Sequence, residues 1–347
     1  MKGQKIIIVT QDYDPHADGV IRRLRAQGHQ PTRLHLKDIP LESGFTFTAN
    51  GAQCGGMLHT KKGSVALDDI RSIWWRKPVD FQLPEELTRV QRAFARGELK
   101  HALSGLWLTL DCYWMSYPSK IYEANLKPGQ LKVAAELGFE IPRTLITMRP
   151  EEALNFYEQC DGKMIYKVLT GPYLRQNYAS SKAAMVKGDQ EEPDYTATRQ
   201  TYATLLKEED LKIHLSKIAN APCQFQEYIE KKVELRVTII GDDIFVAEID
   251  SQANERTKID WRHYDAPMII RKGSLPSTVT ERCFALVKRY GLNFSTMDII
   301  LTPDGRYIFL ENNPNGQWAF VEDHVPELKM YDALIGCLIR GSNGVAT

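Results

Sequence analysis

The sequence has no C-x-x-C pair: its six cysteines, Cys54, Cys112, Cys160, Cys223, Cys283 and Cys337, stand far apart. That spacing argues against a zinc knuckle or a redox dithiol and fits a reducing compartment. No hydrophobic run approaches the length of a membrane span. The opening "MKGQKIIIVTQDYD" turns polar after a short apolar run, too soon for a signal-peptide core. The expectation is a cytoplasmic protein with no membrane partner. An excess of charge is also missing: Lys+Arg and Asp+Glu are both 44, for a formal net charge of zero. A balanced chain advertises no duplex-binding face, so nucleic acid is not an expected partner. Internal repeats and low-complexity segments are absent. So is any Ser-His-Asp or Cys-His arrangement that would supply a protein nucleophile.

What is present is 347 residues of ordinary globular composition, 43% hydrophobic and 25% charged. That length suits two or three domains. The start shows a β-α-β pattern: "KIIIV", an apolar helical period through Val20, Ile21 and Leu24 stopped by Gly28, then "PTRLHL". Gly44–Lys62 alternates like a hairpin, "DIRSIWWRKP" is a strand ended by Pro78, and Pro84–Leu110 has a helical period. A helix over Pro128–Leu137 and a strand over Arg143–Thr147 follow. "GKMIYKVLTGPYL" is β-rich. Residues 188–198 are polar and acidic and predict an exposed loop or hairpin tip. "CQFQEYIEKKVELRVTIIGDDIFVAEIDSQ" predicts three strands, with a turn at Gly241-Asp242-Asp243. "ERTKIDWRHYD" predicts a loop and "TVTERCFALVKRYGLNF" an amphipathic helix. "STMDIILTPDGRYIFLENNPNGQW" predicts a hairpin about Pro303-Asp304-Gly305.

In that last hairpin Asp298 opens one arm and Glu311 closes the other, so the two carboxylates come level on one face. Like charges held opposite repel, and a cation between them removes the cost. Asn313 shares the face by the two-residue period of a strand. Two carboxylates and an amide oxygen are hard donors that suit Mg²⁺ shared with phosphate oxygens. With no His or Cys nearby, zinc is a poor fit. On spacing alone, a strand cap followed by a turn fits the same residues.

Lys167 lies inside "MIYKVL", where a lysine must be paired or face a cleft. Lys127 precedes a helix whose N-terminus favours anions, although an exposed loop lysine is the plainer reading. The link after "QFQEYI" offers free backbone groups near Glu227–Ile229 that can mimic a pairing partner for adenine. Glu234 can accept from ribose hydroxyls, and Arg236 on the same face can reach phosphate. A surface ion-pair stripe is the plainer alternative for these last two.

In this order the residues make the chain resemble the ATP-grasp enzymes over its whole length. Within that superfamily it is most similar to the microviridin-type ligases, the graspetide synthetases. The closer likeness lies in "IRSIWWRKP", "KPGQLKVAAELGFEIPRTLIT", "FQEYI…ELRVTIIGDDIFVAEIDSQ", "KIDWRHYD" and "FLENNPNGQW". The resemblance implies an α/β ATP-grasp fold: an N-terminal open sheet over 1–118, a central domain over 119–225 and a C-terminal domain over 226–347. The last two clasp ATP. It implies that Lys127 and Lys167 hold phosphates. Gln226, Glu227 and Ile229 would meet adenine, Glu234 the ribose, and Asp298, Glu311 and Asn313 two Mg²⁺ ions.

The activity implied is ADP-forming activation of an Asp or Glu side chain of a ribosomal precursor peptide as an acyl phosphate. Attack by a Ser/Thr hydroxyl or Lys amine of the same peptide then gives an ω-ester or ω-amide. Arg236, Arg262 and Arg271 are candidates for steadying the developing negative charge. His263 is taken as an exposed loop residue. A hairpin and helix about 185–212 would bind the leader of the precursor, with Asp189, Glu191, Glu192 and Asp194 as candidate contacts. A solvated acidic loop is the alternative there. The resemblance also implies a homodimer. One departure is the loop after Lys167, "TGPYLRQNYASS", which has a single glycine where many ATP-grasp flaps are richer. Two other functions stay open: a ligase for free amino acids or for glutamate on a protein tail, and a nucleotide-gated peptide-binding protein without catalysis.

Overall fold

The computed structural model describes residues 3–170, 173–176 and 197–342. The chain begins with β1 (Lys5–Val9), α1 (Pro15–Ala26) and β2 (Thr32–Leu34). Asp14 caps α1 by accepting from the N–H groups of His16 and Ala17, with Pro15 in the first turn. An antiparallel ribbon follows, β3 (Gly44–Asn50), β4 (Gln53–Thr60) and β5 (Gly63–Ala66). The hairpin expected over 44–62 is therefore the first two arms of three. Then come β6 (Ile70–Trp75), α2 (Arg89–Leu108) and β7 (Tyr113–Trp114). The parallel sheet runs β2-β1-β6-β7. Ile6–Val9 are buried to a residue, as a strand covered on both faces requires.

Next are α3 (Pro118–Ala124), α4 (Lys127–Glu136), β8 (Thr144–Thr147), α5 (Pro150–Gln159) and β9 (Met164–Lys167). A two-stranded ribbon, β10 (Tyr173–Gln176) with β11 (Ala197–Gln200), leads to β12 (Thr204–Leu206), α6 (Glu208–His214) and β13 (Cys223–Glu227). The second sheet, β12-β9-β13-β8, is antiparallel and packs Met164 and Phe225 against Phe156 of α5.

The third sheet is the largest. Its strands are β14 (Val233–Ile240), β15 (Asp243–Ile249), β16 (Ile270–Lys272), β17 (Phe294–Leu301) and β18 (Tyr307–Asn313). They lie in the order β16-β15-β14-β17-β18. Helix α7 (Ser277–Tyr290) precedes β17, and α8 (Ala319–His324) and α9 (Met330–Arg340) end the chain. Each face of this sheet has its own core. On one, Leu235, Val237 and Ile299 meet α7 together with Ala124 of α3 and Ala134 of α4. The helices just after residue 118 thus pack on the C-terminal sheet. On the other face Ile240, Ala247 and Ile249 join Ile6, Ile8 and Trp74 of the N-terminal sheet, with Leu334 and Leu338 of α9 between them. Ser72 Oγ donates to Leu338 O at 2.8 Å and Arg71 Nη1 to Ile339 O at 2.9 Å, tying the last helix to β6.

Candidate active site

Strand register builds the site. Directly opposed residues of an antiparallel pair point to the same face. Arg236 of β14 is opposite Asp298 of β17, and Asp298 is opposite Glu311 of β18. Thr296 is opposite Asn313, and Glu234 opposite Ile300. Glu234, Arg236, Asp298, Glu311 and Asn313 therefore share one face. The level carboxylate pair is as the sequence predicts, but neither residue ends its strand: both ladders continue past them. Between Asp298 and Ile299 the register slips, so Leu310 is the extra residue of a bulge and lines the cavity.

The three asparagines after Glu311 have three different tasks. Asn313 Nδ2 donates to Asp298 Oδ2 at 3.1 Å and Glu311 Oε1 at 2.9 Å. Asn312 turns inward, accepting from Ser295 Oγ at 2.5 Å. Its backbone is clamped by Gln130, whose Nε2 donates to Asn312 O at 2.7 Å and whose Oε1 accepts from Asn312 N at 3.1 Å. Gln130 lies one turn into α4, so the clamp also fixes Lys127 at the head of that helix, where Lys127 pairs with Glu311. Asn315 belongs to Arg76, whose Nη1 donates to its carbonyl at 2.5 Å and to Gly316 O at 3.0 Å. Arg76 Nη2 donates to Gln317 Oε1 at 3.1 Å, and Arg76 Nε stands 3.5 Å from the Asp14 carboxylate. His16 completes the cluster. Its Nδ1 accepts from Ala319 N at 3.2 Å, leaving Nε2–H to donate to Gln317 Oε1. Burial, with the Arg76 charge beside it, drops the His16 pKa to about 3, so the ring is neutral.

The charges alternate closely. Arg236 Nη1 donates to Asp298 Oδ1 at 2.7 Å and Oδ2 at 2.9 Å, and its Nη2 donates to Gln317 O at 2.6 Å. Burial opposes ionisation of Glu311, but the charges of Lys127 and Lys167 outweigh it and hold this carboxyl well below the usual range. Asp298 is raised instead: burial dominates, the Arg236 charge works against it and the Glu311 charge adds to it. Burial lowers Lys167, with Glu311 opposing. Lys231 Nζ donates to Glu234 Oε1 at 2.8 Å and to Ile259 O at 2.9 Å. Arg262 is forked onto Asp260 at 2.8 and 2.5 Å, and Asp260 also holds the Ala203 N–H at 2.8 Å.

A cavity of about 360 Å³ brings together Lys127, Lys167, Gln226, Glu227, Ile229, Glu234, Arg236, Arg262, Asp298, Glu311 and Asn313. The Glu227 carboxylate turns away, accepting from Arg143 N and Nε at 2.7 Å each. Glu227 therefore faces the cavity through its backbone. The Ile229 N–H makes no backbone hydrogen bond among the described residues. Arg271 is a correction. It is opposite Glu248, which is opposite Leu235, so it belongs to the opposite face from Arg236; it is exposed and lies outside the cavity. His263 is a second: it is half-buried and stacks on Tyr202 with ring centroids 3.8 Å apart. Asp189, Glu191, Glu192 and Asp194 lie outside the described residues. Sequence reasoning missed Arg76, Lys77, Lys231, Asp260 and Gln317. "RKP" after a parallel strand was the available signal for the first two, since ligands gather at the carboxyl ends of such strands.

The family described as MvdD pre-ATP grasp domain matches residues 5–122. Macrocyclase MdnC from Microcystis aeruginosa MRC, solved with its precursor peptide MdnA, is 27% identical with a TM-score of 0.80, over 97% of this chain and 100% of that one. This chain has the ATP-grasp fold. A RiPP-associated ATP-grasp ligase from Chryseobacterium gregarium, solved with ADP and a leader and core peptide, is also 27% identical; its TM-score is 0.82, over 99% of this chain and 100% of that one. Macrocyclase MdnB from Microcystis aeruginosa MRC is 28% identical with a TM-score of 0.74, over 96% and 99%. The chain is thus similar over nearly its whole length to such peptide macrocyclases. No curated protein matches the sequence.

The donor set of this ATP-grasp site fits a hard divalent cation. Among the described residues no three His, Cys, Asp or Glu side chains converge, so the metal reading rests on two carboxylates and an amide. Asp298 and Glu311 already share one donor, Asn313 Nδ2, and turning that amide over presents its oxygen instead. The nucleotide fits as well: cations of α4 and β9 flank the carboxylates, and the link after β13 forms the cavity wall beside Glu234.

Proposed function

We infer that this chain is an ATP- and Mg²⁺-dependent, ADP-forming ligase. It activates Asp or Glu side chains of a ribosomal precursor peptide and joins them to hydroxyl or amine side chains of the same peptide. The observation that carries this is the single face of Arg236, Asp298, Glu311 and Asn313, which lines one cavity with Lys167 and with Lys127, the partner of Glu311. It sits in a chain alike from end to end to peptide macrocyclases.

In the reaction a peptide carboxylate oxygen bonds to the γ-phosphorus and ADP leaves. The nucleophile then bonds to the acyl carbon, phosphate leaves, and the hydroxyl or amine proton passes to solvent. Lys127 and Lys167 take the phosphate oxygens, and Gln226, Glu227, Ile229 and Glu234 hold the nucleoside. Asp298, Glu311 and Asn313 would hold the metal, two ions in our reading, which would supply neutralisation of phosphate charge. Arg236 and Arg262 face the charge that develops on the transferred phosphoryl group and the acyl oxygen. No protein nucleophile is needed.

Asp189, Glu191, Glu192 and Asp194 are our candidates for meeting a basic leader segment. The division at 118 and 225, a homodimer and a cytoplasmic location without nucleic-acid or membrane partners belong to the same reading. The balanced charge is what argues against a nucleic-acid partner. The test is incubation with ATP, Mg²⁺ and a leader-bearing precursor, read by mass spectrometry. Loss of one water per ring with ADP release supports the macrocyclase. Mass gain on a second molecule supports an amino-acid or protein-tail ligase, and no ADP release supports a non-catalytic binder.

A further inference from the structure

Most cations of the cavity are already engaged. Lys127 is taken by Glu311, Lys231 by Glu234, Arg236 by Asp298 and Arg262 by Asp260. Two lysines lining it make no hydrogen bond or ion pair among the described residues, Lys167 and Lys77. Lys167 stands on β9 of the central sheet, on the side assigned to phosphate. Lys77 comes from elsewhere. It directly follows Arg76 past the carboxyl end of β6 and is the one cavity-lining residue contributed by the N-terminal sheet domain. Arg76 cannot serve a ligand, because it is buried and spent on Asp14 and the 315–317 turn. Lys77 is only half-buried, so its ammonium has an approach from the cavity.

Its surroundings favour an anion. Burial and the neighbouring Arg76 and Arg236 charges depress its pKa to about 8, with Asp14 alone pulling the other way. An ammonium left partly desolvated among guanidinium groups gains from an incoming carboxylate more than an exposed one does. We propose that Lys77 receives the side-chain carboxylate of the peptide that is to be activated, holding it beside Arg236 on the cavity wall opposite the nucleotide. The proposal rests on the ligase reading above. It gives the N-terminal sheet a direct part in choosing an acidic side chain over an amide.

The test is limited acetylation of the full chain, with each lysine followed by mass spectrometry. The probes are Mg²⁺ with a non-hydrolysable ATP analogue, and that mixture plus an end-blocked peptide of alternating Thr and Glu or its Gln counterpart. The nucleotide alone should protect Lys167 and leave Lys77 reactive. Adding the Glu peptide should slow Lys77 acetylation about five-fold or more, and the Gln peptide should not, because only a charged partner withholds the amine. Equal protection of Lys77 by nucleotide alone assigns it to phosphate and overturns the proposal while leaving the nucleotide site intact. Failure of the Glu peptide to protect Lys77 overturns it as well. If the nucleotide protects neither Lys127 nor Lys167, the ligase reading falls and the proposal falls with it. As a second arm, Lys77→Met should keep nucleotide affinity while peptide-dependent ADP release falls about 30-fold, the loss expected when one partner of a desolvated charge pair is removed. Lys77→Arg should recover part of it. Unchanged release in Lys77→Met contradicts the assignment.

Discussion

Arg76 and Asn315, 239 positions apart, bond in both directions: Arg76 Nη1 reaches the Asn315 carbonyl at 2.5 Å and its side-chain oxygen at 3.2 Å, and Asn315 Nδ2 donates back to Arg76 O. The turn that follows Asn313 is thus held from the first sheet as well as by its own Gly316 N–H, which donates to Asn313 O at 3.0 Å. Replacing Arg76 with Met leaves Asp14 buried without its cation and frees the turn. Breaking a buried pair in this way costs about 3–5 kcal/mol. Differential scanning calorimetry should show a fall in the unfolding temperature. Arg76→Lys should recover little, because an ammonium lacks the fork that spans Asn315 and Gln317.

Gly316 is the second point at which this turn admits no alternative. A Cβ there would lie 1.8 Å from Thr296 Oγ1 and 2.8 Å from Arg236 Nη2. Gly316→Ala must therefore push the Thr296 hydroxyl off Asn313 O and press on the Arg236 guanidinium that holds Asp298 and Gln317. A misplacement of about an ångström near reacting atoms costs roughly 100-fold in rate. ADP release should fall by that order while circular dichroism shows a folded chain. Wild-type turnover in Gly316→Ala would contradict the role given to this face.

Glu311 is the counter-charge for both Lys127 and Lys167 and a proposed metal ligand. Glu311→Gln keeps its shape and removes its charge. ADP release is expected to drop about 100-fold or more, the scale of losing metal-assisted charge neutralisation. Chelation of Mg²⁺ in the wild type should do the same, and added Mg²⁺ should restore it.

Arg236 and Arg271 offer a paired comparison. Arg236→Ala uncovers Asp298 in the cavity and should cost about 100-fold or more in turnover. Arg271 lies on the far face of the edge strand, so Arg271→Ala should stay within about twofold, as surface changes generally do. A large loss at Arg271 would reinstate it as a charge-stabilising group.

His16 gives a pH dependence of stability. In the unfolded chain it takes up a proton as pH falls through its ordinary value of about 6.5. In the fold it resists until about 3. Between those values the unfolded state binds more protons, so stability falls as pH falls and is level above the window. Asp14, held below the usual carboxylate range because the Arg76 charge and the Thr10 hydrogen bond outweigh burial, adds a loss in the same direction at lower pH. Urea midpoints on either side of the histidine value should differ in the wild type and converge in His16→Gln.

Much of the site could be seen in the sequence because it is local. The Pro303-Asp304-Gly305 turn and a two-residue period suffice to level Asp298 with Glu311, and a lysine between apolar neighbours marks Lys167. Arg271 shows where this stops. It lies beyond a long loop, and the face it takes depends on a register that only pairing with β15 fixes; a slip of one residue would have turned it inward. Arg76, His16 and Lys77 were hidden for another reason. The bonding partners of Arg76 and His16 sit hundreds of positions away, so "WWRKP" marks a strand's carboxyl end without naming what gathers there, and nothing in "DPHAD" distinguishes a site residue from a helix cap. Lys231 sits in a charged "EKK" run, a pattern typical of a solvated face, and only the fold buries it against Glu234.

The chain's last helix carries a consequence for its synthesis. Leu334, Ile335 and Leu338 fill the space between the first sheet and the C-terminal one, against Ile6, Ile8 and Trp74. While the ribosome is still making the middle of the protein, those early side chains have cover from α1, through Val20, Ile21 and Leu24, but not yet from α9. A nascent chain halted before Met330 would leave part of that oily sheet face open, so a fragment of the N-terminal domain alone should aggregate, and synthesis must pass Leu338 before the first strand is finally sheltered.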